Sequence, residues 1–197
     1  GAFLREQEKK AKEKKEKPKK SLQREIFEWI MVLVVAAALA FVVRTFIFEP
    51  VRVDGSSMLN TLENNEFMIA TKFDYLLGNP ERFDIVICDY PNTDDGMYRV
   101  KRVIGLPGET VQIIDGYVYI NGEKLDENYG AEVMNDAGRA AEPITLGDDE
   151  YFVLGDNRNR SDDSRYENVE NLKREKIVGR AWVRIWPLDR ICVVRHQ

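Results

Sequence analysis

Histidine is almost absent from this sequence: the single example, His196, stands next to the last of the 197 residues. Chain ends are usually frayed, so we expect this side chain to lie outside any buried site. Enzymes of the Ser-His-Asp and Cys-His types need a histidine base that its neighbours hold in one orientation. The scarcity of histidine therefore argues against both types.

Cysteine is nearly as scarce, since Cys88 and Cys192 are the only two. They lie far apart and form no CxxC pair, so the spacing indicates neither a zinc site nor a disulfide framework. Cys88 falls in an apolar run, 84–88, where a small buried hydrophobic residue is expected. A disulfide between the two cysteines is the alternative. We expect no metal and no other cofactor.

A uniformly basic surface is also missing. The net charge is -5, but residues 1–24 carry ten Lys or Arg against four Glu, so the rest of the chain is acidic. An acidic body repels a phosphate backbone at long range, so nucleic-acid binding is not expected. Residues 1–25 lack an apolar period and are predicted to form a basic, solvated tail.

One long apolar run follows the tail. Residues 29–43 form an uninterrupted apolar run, which extends over 26–48 when its flanks are included. A helix of that length measures about 34 Å, enough to cross a hydrocarbon core of about 30 Å. The alternatives are a buried helix of a soluble protein and a cleavable secretory signal. No partner helices of similar character follow, and no small-residue cleavage site ends the run.

We therefore predict a single-pass transmembrane helix at 26–48. The positive-inside rule keeps the lysine-rich tail in the cytoplasm. Residues 49–197 are then expected to form an extracytoplasmic domain at the cell membrane.

Short runs of β-forming residues, separated by turn residues, fill this domain and predict a mainly antiparallel β fold. The predicted strands are 67–73, 83–88, 98–104, 110–114, 117–120, 151–154 and 177–185. Asp115-Gly116 lies between two alternating runs, which is typical of a two-residue hairpin. The polar stretch 126–149 is predicted to be a loop or insertion.

Without a usable histidine, a serine nucleophile would need another base. Lysine can serve only if burial lowers its pKa from about 10.4, because the charged amine cannot accept a proton. Lys101 lies in a run, 98–104, where neither face of the predicted strand is cleanly polar. An exposed strand lysine fits the same local pattern.

Two loops are rich in polar residues. Residues 54–62 hold two serines and a glycine, and residues 155–165 alternate charged and polar side chains. The stretch 156–167, which begins in the second loop, has the twelve-residue length of an EF-hand calcium loop, with Glu167 at the twelfth position. Arg158 and Arg160 occupy ligand positions in that scheme, and Ser161 stands where the sharp turn needs glycine, so calcium binding is excluded.

Four motifs follow the apolar run in order: 55–62 (GSSMLNTL), 82–86 (RFDIV), 101–108 (KRVIGLPG) and 155–165 (GDNRNRSDDSR). Together they resemble the type I bacterial signal peptidases over residues 29 to 187. The resemblance implies an antiparallel β-sheet catalytic domain related to self-cleaving repressor proteases. It also implies cleavage of signal peptides from secretory preproteins at the membrane.

The resemblance implies a role for each matching residue. Ser57 would be the nucleophile, its backbone N–H would bind the oxyanion, Lys101 would be the general base, and Ser161 would orient that lysine. The charged residues that would brace the site are Arg102, Asp156, Asp163 and Arg165.

The same resemblance implies shallow apolar subsites that admit alanine-sized side chains, as in the A-x-A pattern of secretory cleavage sites. The residues that would line these subsites are Val51, Val53, Met58, Leu62 and Val100. The expected partners are preproteins and the lipid bilayer, and the sequence does not indicate an oligomeric state.

Three positions depart from the family pattern: Gly55 replaces a serine that some members use as a second oxyanion donor, Asn60 replaces proline, and Phe83 replaces glycine. Two other functions compete with the peptidase. One is a membrane-tethered β domain that binds extended peptides without cutting them. The other is a self-cleaving repressor protease, which would need a DNA-binding region.

Overall fold

The computed structural model describes residues 21–90, 97–130 and 132–196. These residues divide into two compact units, with the boundary between Val43 and Arg44. Most of the predicted basic tail lies outside the described residues. The first unit is helical and the second is mainly antiparallel β, so the predicted fold class is confirmed.

Helix α1 (Leu22–Phe46) begins where Ser21 caps it, since the hydroxyl and carbonyl of Ser21 both accept the N–H of Arg24. It has 25 residues with a mean hydropathy of 2.7 in its most apolar part. None of its residues is buried against the protein. Its length and composition are sufficient to cross a membrane.

The second unit contains twelve strands in its described residues. They are β1 (Phe48–Arg52), β2 (Phe67–Thr71), β3 (Ile85–Cys88), β4 (Arg99–Gly105), β5 (Thr110–Ile114), β6 (Tyr117–Ile120), β7 (Glu123–Lys124), β8 (Ile144–Thr145), β9 (Glu150–Leu154), β10 (Leu172–Lys173), β11 (Ile177–Trp186) and β12 (Cys192–Val193). The large sheet has the order β1-β2-β11-β3-β4-β9-β10, with β12 paired to β11. The smaller sheet has the order β7-β6-β5-β8.

Some strand limits differ from the sequence-based prediction for local reasons. Phe83 has a φ of 73°, which a strand cannot contain, so β3 begins only at Ile85. After Thr71 the chain enters the single helical turn α2 (Asp74–Leu77) instead of extending β2. Strand β1 was not predicted, and it contains Pro50, which is unfavourable in a central strand. Proline is tolerated here because β1 lies at the edge of the sheet.

The small sheet contains the predicted hairpin, with Asp115 and Gly116 at φ 51° and 79° between β5 and β6. The prediction of a loop over 126–149 is only partly correct. This stretch adds the 3₁₀ turn Gly138–Ala141 and strand β8, which pairs with β5. A strand of two residues is too short for alternation to reveal it.

The large sheet is strongly curled. Val51 of β1 and Val100 of β4 belong to one buried cluster, although three strands lie between β1 and β4 in the sheet order. In a flat sheet, strands four positions apart would be separated by about 19 Å. The sheet therefore forms a half-barrel that brings its edge strand β1 towards the strand that carries Lys101.

Cys88 is buried and Cys192 is exposed, and both are free thiols. The described residues therefore contain no disulfide, and Cys88 fills the role of a small buried hydrophobic side chain. The expectation that His196 lies in a frayed end is wrong. Its imidazole Nδ1 accepts the N–H of Ile85 at 2.9 Å and Nε2 lies 2.9 Å from the carbonyl of Ala181.

Candidate active site

Ser57 lies in a series of tight turns between β1 and β2. The carbonyl of Met58 accepts the N–H of Leu62 at 2.8 Å, and the side chains of both residues are buried. These two apolar anchors fix the turn, while Ser57 itself is half-buried. From the opposite side, the backbone N–H of Asn157 donates to the carbonyl of Ser57 at 2.9 Å, and its side-chain amide donates to the carbonyl of Ser56 at 2.9 Å.

Lys101 occupies the middle of β4, opposite Val86 of β3. Its side chain is 3% exposed, and its Nζ lies 2.8 Å from Ser57 Oγ. Two residues that are 44 positions apart in the chain are thus within hydrogen-bonding distance. This is the contact that a serine nucleophile and its base require.

Burial lowers the pKa of the Lys101 ammonium below its ordinary value of 10.5, because the charged form loses its hydration. Asp162 and Asp163 oppose this shift, while Arg99 adds to it. The neighbouring Cys88 contributes no negative charge near neutral pH, since burial raises the pKa of its thiol to about 12. The ammonium of Lys101 therefore releases its proton more readily here than in water.

Ser161 lies beside this pair. A Cβ atom on Gly155 would come within 2.2 Å of Ser161 Oγ and 2.5 Å of the Ser57 carbonyl oxygen. Only glycine permits these two segments to approach so closely. The Ser161 hydroxyl is buried and makes no hydrogen bond within the described parts of the chain, to Lys101 or to any other group. Its orienting role stays a prediction.

The four charged residues form two buried pairs. Arg102 binds Asp156 through two hydrogen bonds of 2.8 and 2.7 Å, and Arg165 binds Asp163 through bonds of 2.8 and 3.0 Å. Asp163 also accepts the backbone N–H of Gly155 at 3.2 Å. All four side chains are almost completely buried, so losing one partner would leave an uncompensated charge. The Arg102–Asp156 pair fixes the loop 155–165 against β4, and the Arg165–Asp163 pair stabilises the loop internally.

Sequence reasoning did not assign a role to three residues that contact this network: Thr61, Tyr129 and Asn157, whose contacts with the Ser57 turn are given above. Thr61 Oγ1 donates to Asp156 Oδ2 at 2.5 Å, so it connects the Ser57 turn to the Arg102 pair. The ring of Tyr129 stacks on the Arg102 guanidinium at 3.7 Å. Asn157 and Thr61 belong to the quoted motifs, whereas Tyr129 lies in a stretch without any motif.

The five predicted subsite residues all belong to the buried cluster that also joins β1 to β4. One of them, Val51, also lines a cavity of about 340 Å³. Its other walls come from Pro50, Arg52, Asp54, Met97 and Tyr98. The cavity therefore lies between edge strand β1 and the start of β4, which leads to Lys101.

All three departures from the family pattern fall at left-handed backbone positions: φ is 89° at Gly55, 83° at Asn60 and 73° at Phe83. Gly55 has no side chain to offer an oxyanion, and its N–H donates to Asn64 at 3.0 Å. Within the described residues, the backbone N–H of Ser57 donates no hydrogen bond to another backbone group.

No set of three or more His, Cys, Asp or Glu side chains among the described residues could hold a metal ion.

Comparison with known proteins agrees with the motifs. The model of the family described as signal peptidase, peptidase S26, matches residues 26–186. A probable signal peptidase I-2 of Synechocystis is 41% identical over 185 residues, which cover 90% of this chain and 80% of that protein. Signal peptidase I P of Bacillus subtilis subsp. natto is 39% identical over 184 residues, covering 90% and 96%.

A crystal structure of a signal peptidase I from Enterococcus faecalis is 37% identical, with a TM-score of 0.43, and covers 52% of this chain and 97% of that one. The match to the family model and the identity to these relatives over most of the chain confirm the resemblance found from the motifs. The chain belongs to the signal peptidase family, peptidase S26.

Proposed function

We propose that this signal peptidase cleaves secretory preproteins by attack of Ser57, with Lys101 as the general base. The observation that carries the proposal is the 2.8 Å contact between Ser57 Oγ and Lys101 Nζ, with the lysine buried in β4. An ordinary lysine is neutral in only about one molecule in a few thousand at pH 7, so a base of this kind must be desolvated.

The reaction follows from these positions. The neutral Lys101 amine accepts the Ser57 hydroxyl proton as the oxygen attacks the scissile carbonyl, and the N–H of Ser57 donates to the oxyanion. Lys101 then gives the proton to the leaving amine. In the second half of the reaction, the Lys101 amine accepts a proton from the water that hydrolyses the acyl-enzyme. Lys101 then returns that proton to the Ser57 oxygen as the ester bond breaks.

The substrate proposed is an extended peptide with small side chains at the first and third positions before the cut. Strand β1 lies at the sheet edge, where its backbone can pair with a further strand. The proposal is supported by the apolar residues Val51, Val53 and Met58, which belong to one buried cluster beside this strand and would line the subsites.

Helix α1 would anchor the enzyme as a single membrane span, with the basic tail in the cytoplasm and residues 49–197 outside. The helix is long and apolar enough to span a membrane. Residues 1–24, on its N-terminal side, carry ten Lys or Arg, which favours a cytoplasmic location for this end. This arrangement would hold the active site where a translocated preprotein presents its cleavage site.

The test is cleavage of an A-x-A peptide by the detergent-solubilised chain. Ser57→Ala and Lys101→Ala are each expected to reduce kcat/KM by a factor of about 10³ or more, because they remove the nucleophile or its base. Ser56→Ala is the matched control, since Ser56 is a half-buried serine in the same turn. Full activity of either dyad variant would contradict the proposal. Peptide binding without cleavage by the unaltered chain would favour the non-catalytic peptide-binding domain.

The pH dependence gives a second test. Since only neutral Lys101 accepts a proton, kcat/KM is expected to rise with pH through the pKa of this lysine, which lies below 10.5. A rise governed only by a group that titrates in the ordinary carboxylate range, near pH 4, would contradict a lysine base.

A further inference from the structure

A second cavity, of about 320 Å³, lies beside the turn that carries Ser57. Its walls come from Leu59 and Asn60 of this turn, from residues 157–160 of the neighbouring loop, and from Glu132. We call it the 157–160 cavity. It has no wall residue in common with the cavity that Val51 lines.

The 157–160 cavity adjoins the nucleophile residue. Asn157, in its wall, donates its backbone N–H to the Ser57 carbonyl and its side-chain amide to the Ser56 carbonyl, both at 2.9 Å. Leu59, also in the wall, follows Ser57 by two residues. An extended peptide advances about 3.4 Å per residue, so a residue close to a bond that reacts with Ser57 can reach this cavity.

Hydrogen bonds fix the backbone of the cavity wall. The N–H of Arg160 donates to the carbonyl of Asn157 at 2.9 Å. The side-chain amide of Asn159 donates to the carbonyl of Val133 at 3.1 Å. A wall held in this way is already ordered, so binding a peptide does not have to pay for ordering it.

The walls carry more positive than negative charge, since Arg158 and Arg160 share the cavity with a single carboxylate, that of Glu132. Arg158 is buried and pairs with Glu127, which is not a wall residue, and its Nε has no acceptor within the described residues. Arg160 is exposed and forms no ion pair with a carboxylate in the part of the chain that the structure describes. Its guanidinium is therefore available to an acidic ligand.

We propose that the 157–160 cavity binds the first residues of the mature protein, those that follow the cut, and that Arg160 makes it select an acidic side chain there. The inference rests on the proposed function, in which Ser57 attacks and strand β1 binds the substrate before the cut. The substrate then continues past Ser57 on the side of Leu59. A carboxylate can accept two hydrogen bonds from the Arg160 guanidinium, whereas a lysine meets a like charge.

The contact acts on one step of the reaction. The mature part of the substrate leaves when the acyl-enzyme forms, so residues after the cut cannot influence deacylation. The selection is therefore measured as kcat/KM, which includes binding and acylation.

The test uses the full chain in detergent and pairs of otherwise identical A-x-A peptides, with Asp or Lys at the first, second or third position after the cut. At one of these positions at least, kcat/KM is expected to be about five times higher for Asp than for Lys, as for an exposed ion pair compared with a like-charge contact. Arg160→Glu should reverse this ratio, and Arg160→Lys should retain a preference for Asp. Lys173→Glu is the matched control, because it makes the same charge change at an exposed residue of edge strand β10 and should leave the ratio unaltered.

Salt provides an independent readout of a charge contact. In 1 M NaCl the screening length is about 3 Å, so the ratio of the unaltered chain should fall towards one. A ratio that persists in 1 M NaCl would contradict recognition by charge.

The outcomes separate this inference from the proposed function. Equal cleavage of the Asp and Lys peptides at all three positions would overturn the selection and leave signal-peptide cleavage intact. The same holds if Arg160→Glu slows every peptide by one common factor, since that is the result of a purely structural role. Failure of the unaltered chain to cleave any of the peptides would contradict the proposed function, and this inference with it.

Discussion

In the proposed mechanism Lys101 must be buried to act as a base, and that burial opposes folding. The pKa of its ammonium is lowered in the folded chain, so the unfolded chain binds a proton that the folded chain tends to release. The resulting cost to the free energy of unfolding is present in full below the folded-state pKa. It decreases as the pH rises from there towards 10.5.

We therefore expect Lys101→Met to be inactive and yet more stable than the unaltered chain by about 1 kcal/mol at neutral pH. Methionine fills a similar volume without a charge to desolvate. Thermal unfolding in detergent at several pH values checks this, and the difference should shrink in alkaline solution. A variant less stable than the parent at pH 7 would contradict the expectation.

We expect Thr61 to influence the proposed reaction through its neighbours. Its hydroxyl connects the turn that carries Ser57 to Asp156, which binds Arg102, the residue after Lys101. Thr61→Val keeps the shape and removes the hydrogen bond, so we expect kcat to fall about tenfold, equivalent to about 1.4 kcal/mol, with an unchanged KM and pH profile. Thr61→Ser should restore the rate. Equal kcat in the Val and Ser variants would exclude this positioning role.

At the level of elements, the site depends on the close approach of the turn after β9 to the turn that carries Ser57. Gly155, the residue after β9, lies at this contact, where a Cβ would meet both Ser161 Oγ and the Ser57 carbonyl oxygen. Ser161 lies in the loop that the two buried ion pairs stabilise, and hydrogen bonds from Asn157 and Thr61 hold the Ser57 turn against the same loop. Neither atom can therefore move away without breaking other contacts.

Gly155→Ala is consequently expected to lower kcat/KM at least about a hundredfold by separating Ser57 from Lys101. Gly122→Ala is a useful comparison, because a Cβ there meets no atom within 4 Å and only the φ of 85° is unfavourable. That control should cost about 1 kcal/mol of stability with little change in kcat. Peptide cleavage and thermal unfolding of both variants test the difference, and an active Gly155→Ala enzyme would contradict it.

At the level of the whole molecule, the C-terminal segment contacts three neighbouring strands of the large sheet, β11, β3 and β4. The carbonyl of His196 accepts a hydrogen bond from Arg102 at 2.8 Å, and its imidazole bridges Ile85 of β3 and Ala181 of β11. The acceptor Nδ1 requires a neutral ring. Burial lowers the pKa of this imidazole below 6.5, with help from the nearby charges of Arg180 and Arg102 and against the attraction of Asp84.

Since the unfolded chain binds the His196 proton more readily, stability should fall as the pH drops below about 6.5 and level off under the folded-state pKa. The His196→Ala variant is expected to have a free energy of unfolding about 1–2 kcal/mol lower at pH 7, because it lacks these hydrogen bonds. Its stability should not show the same decrease below about pH 6.5. The Tm difference between the two proteins should therefore narrow in acid. A constant difference from pH 7 to about pH 5 would contradict a buried neutral imidazole.

Local features of the sequence were sufficient for helix α1 and most strands, because apolar runs and alternation act over neighbouring residues. Asp115-Gly116 predicted its hairpin for the same reason. The predicted start of β3 was wrong because the backbone at Phe83 has a positive φ. Strand β8 was not predicted because it has only two residues. The composition also narrowed the chemistry, since one histidine and two distant cysteines left few possible bases.

The sequence motifs named Ser57 and Lys101 only through a resemblance, since nothing local distinguishes a buried strand lysine from an exposed one. Their 2.8 Å contact joins residues 44 positions apart, and the Thr61–Asp156 bond joins residues 95 apart. The curl of the sheet, the ordered His196 and the lowered pKa of Lys101 depend on what packs around each group. Only the tertiary structure decides them, because desolvation and long-range contacts are properties of the folded chain.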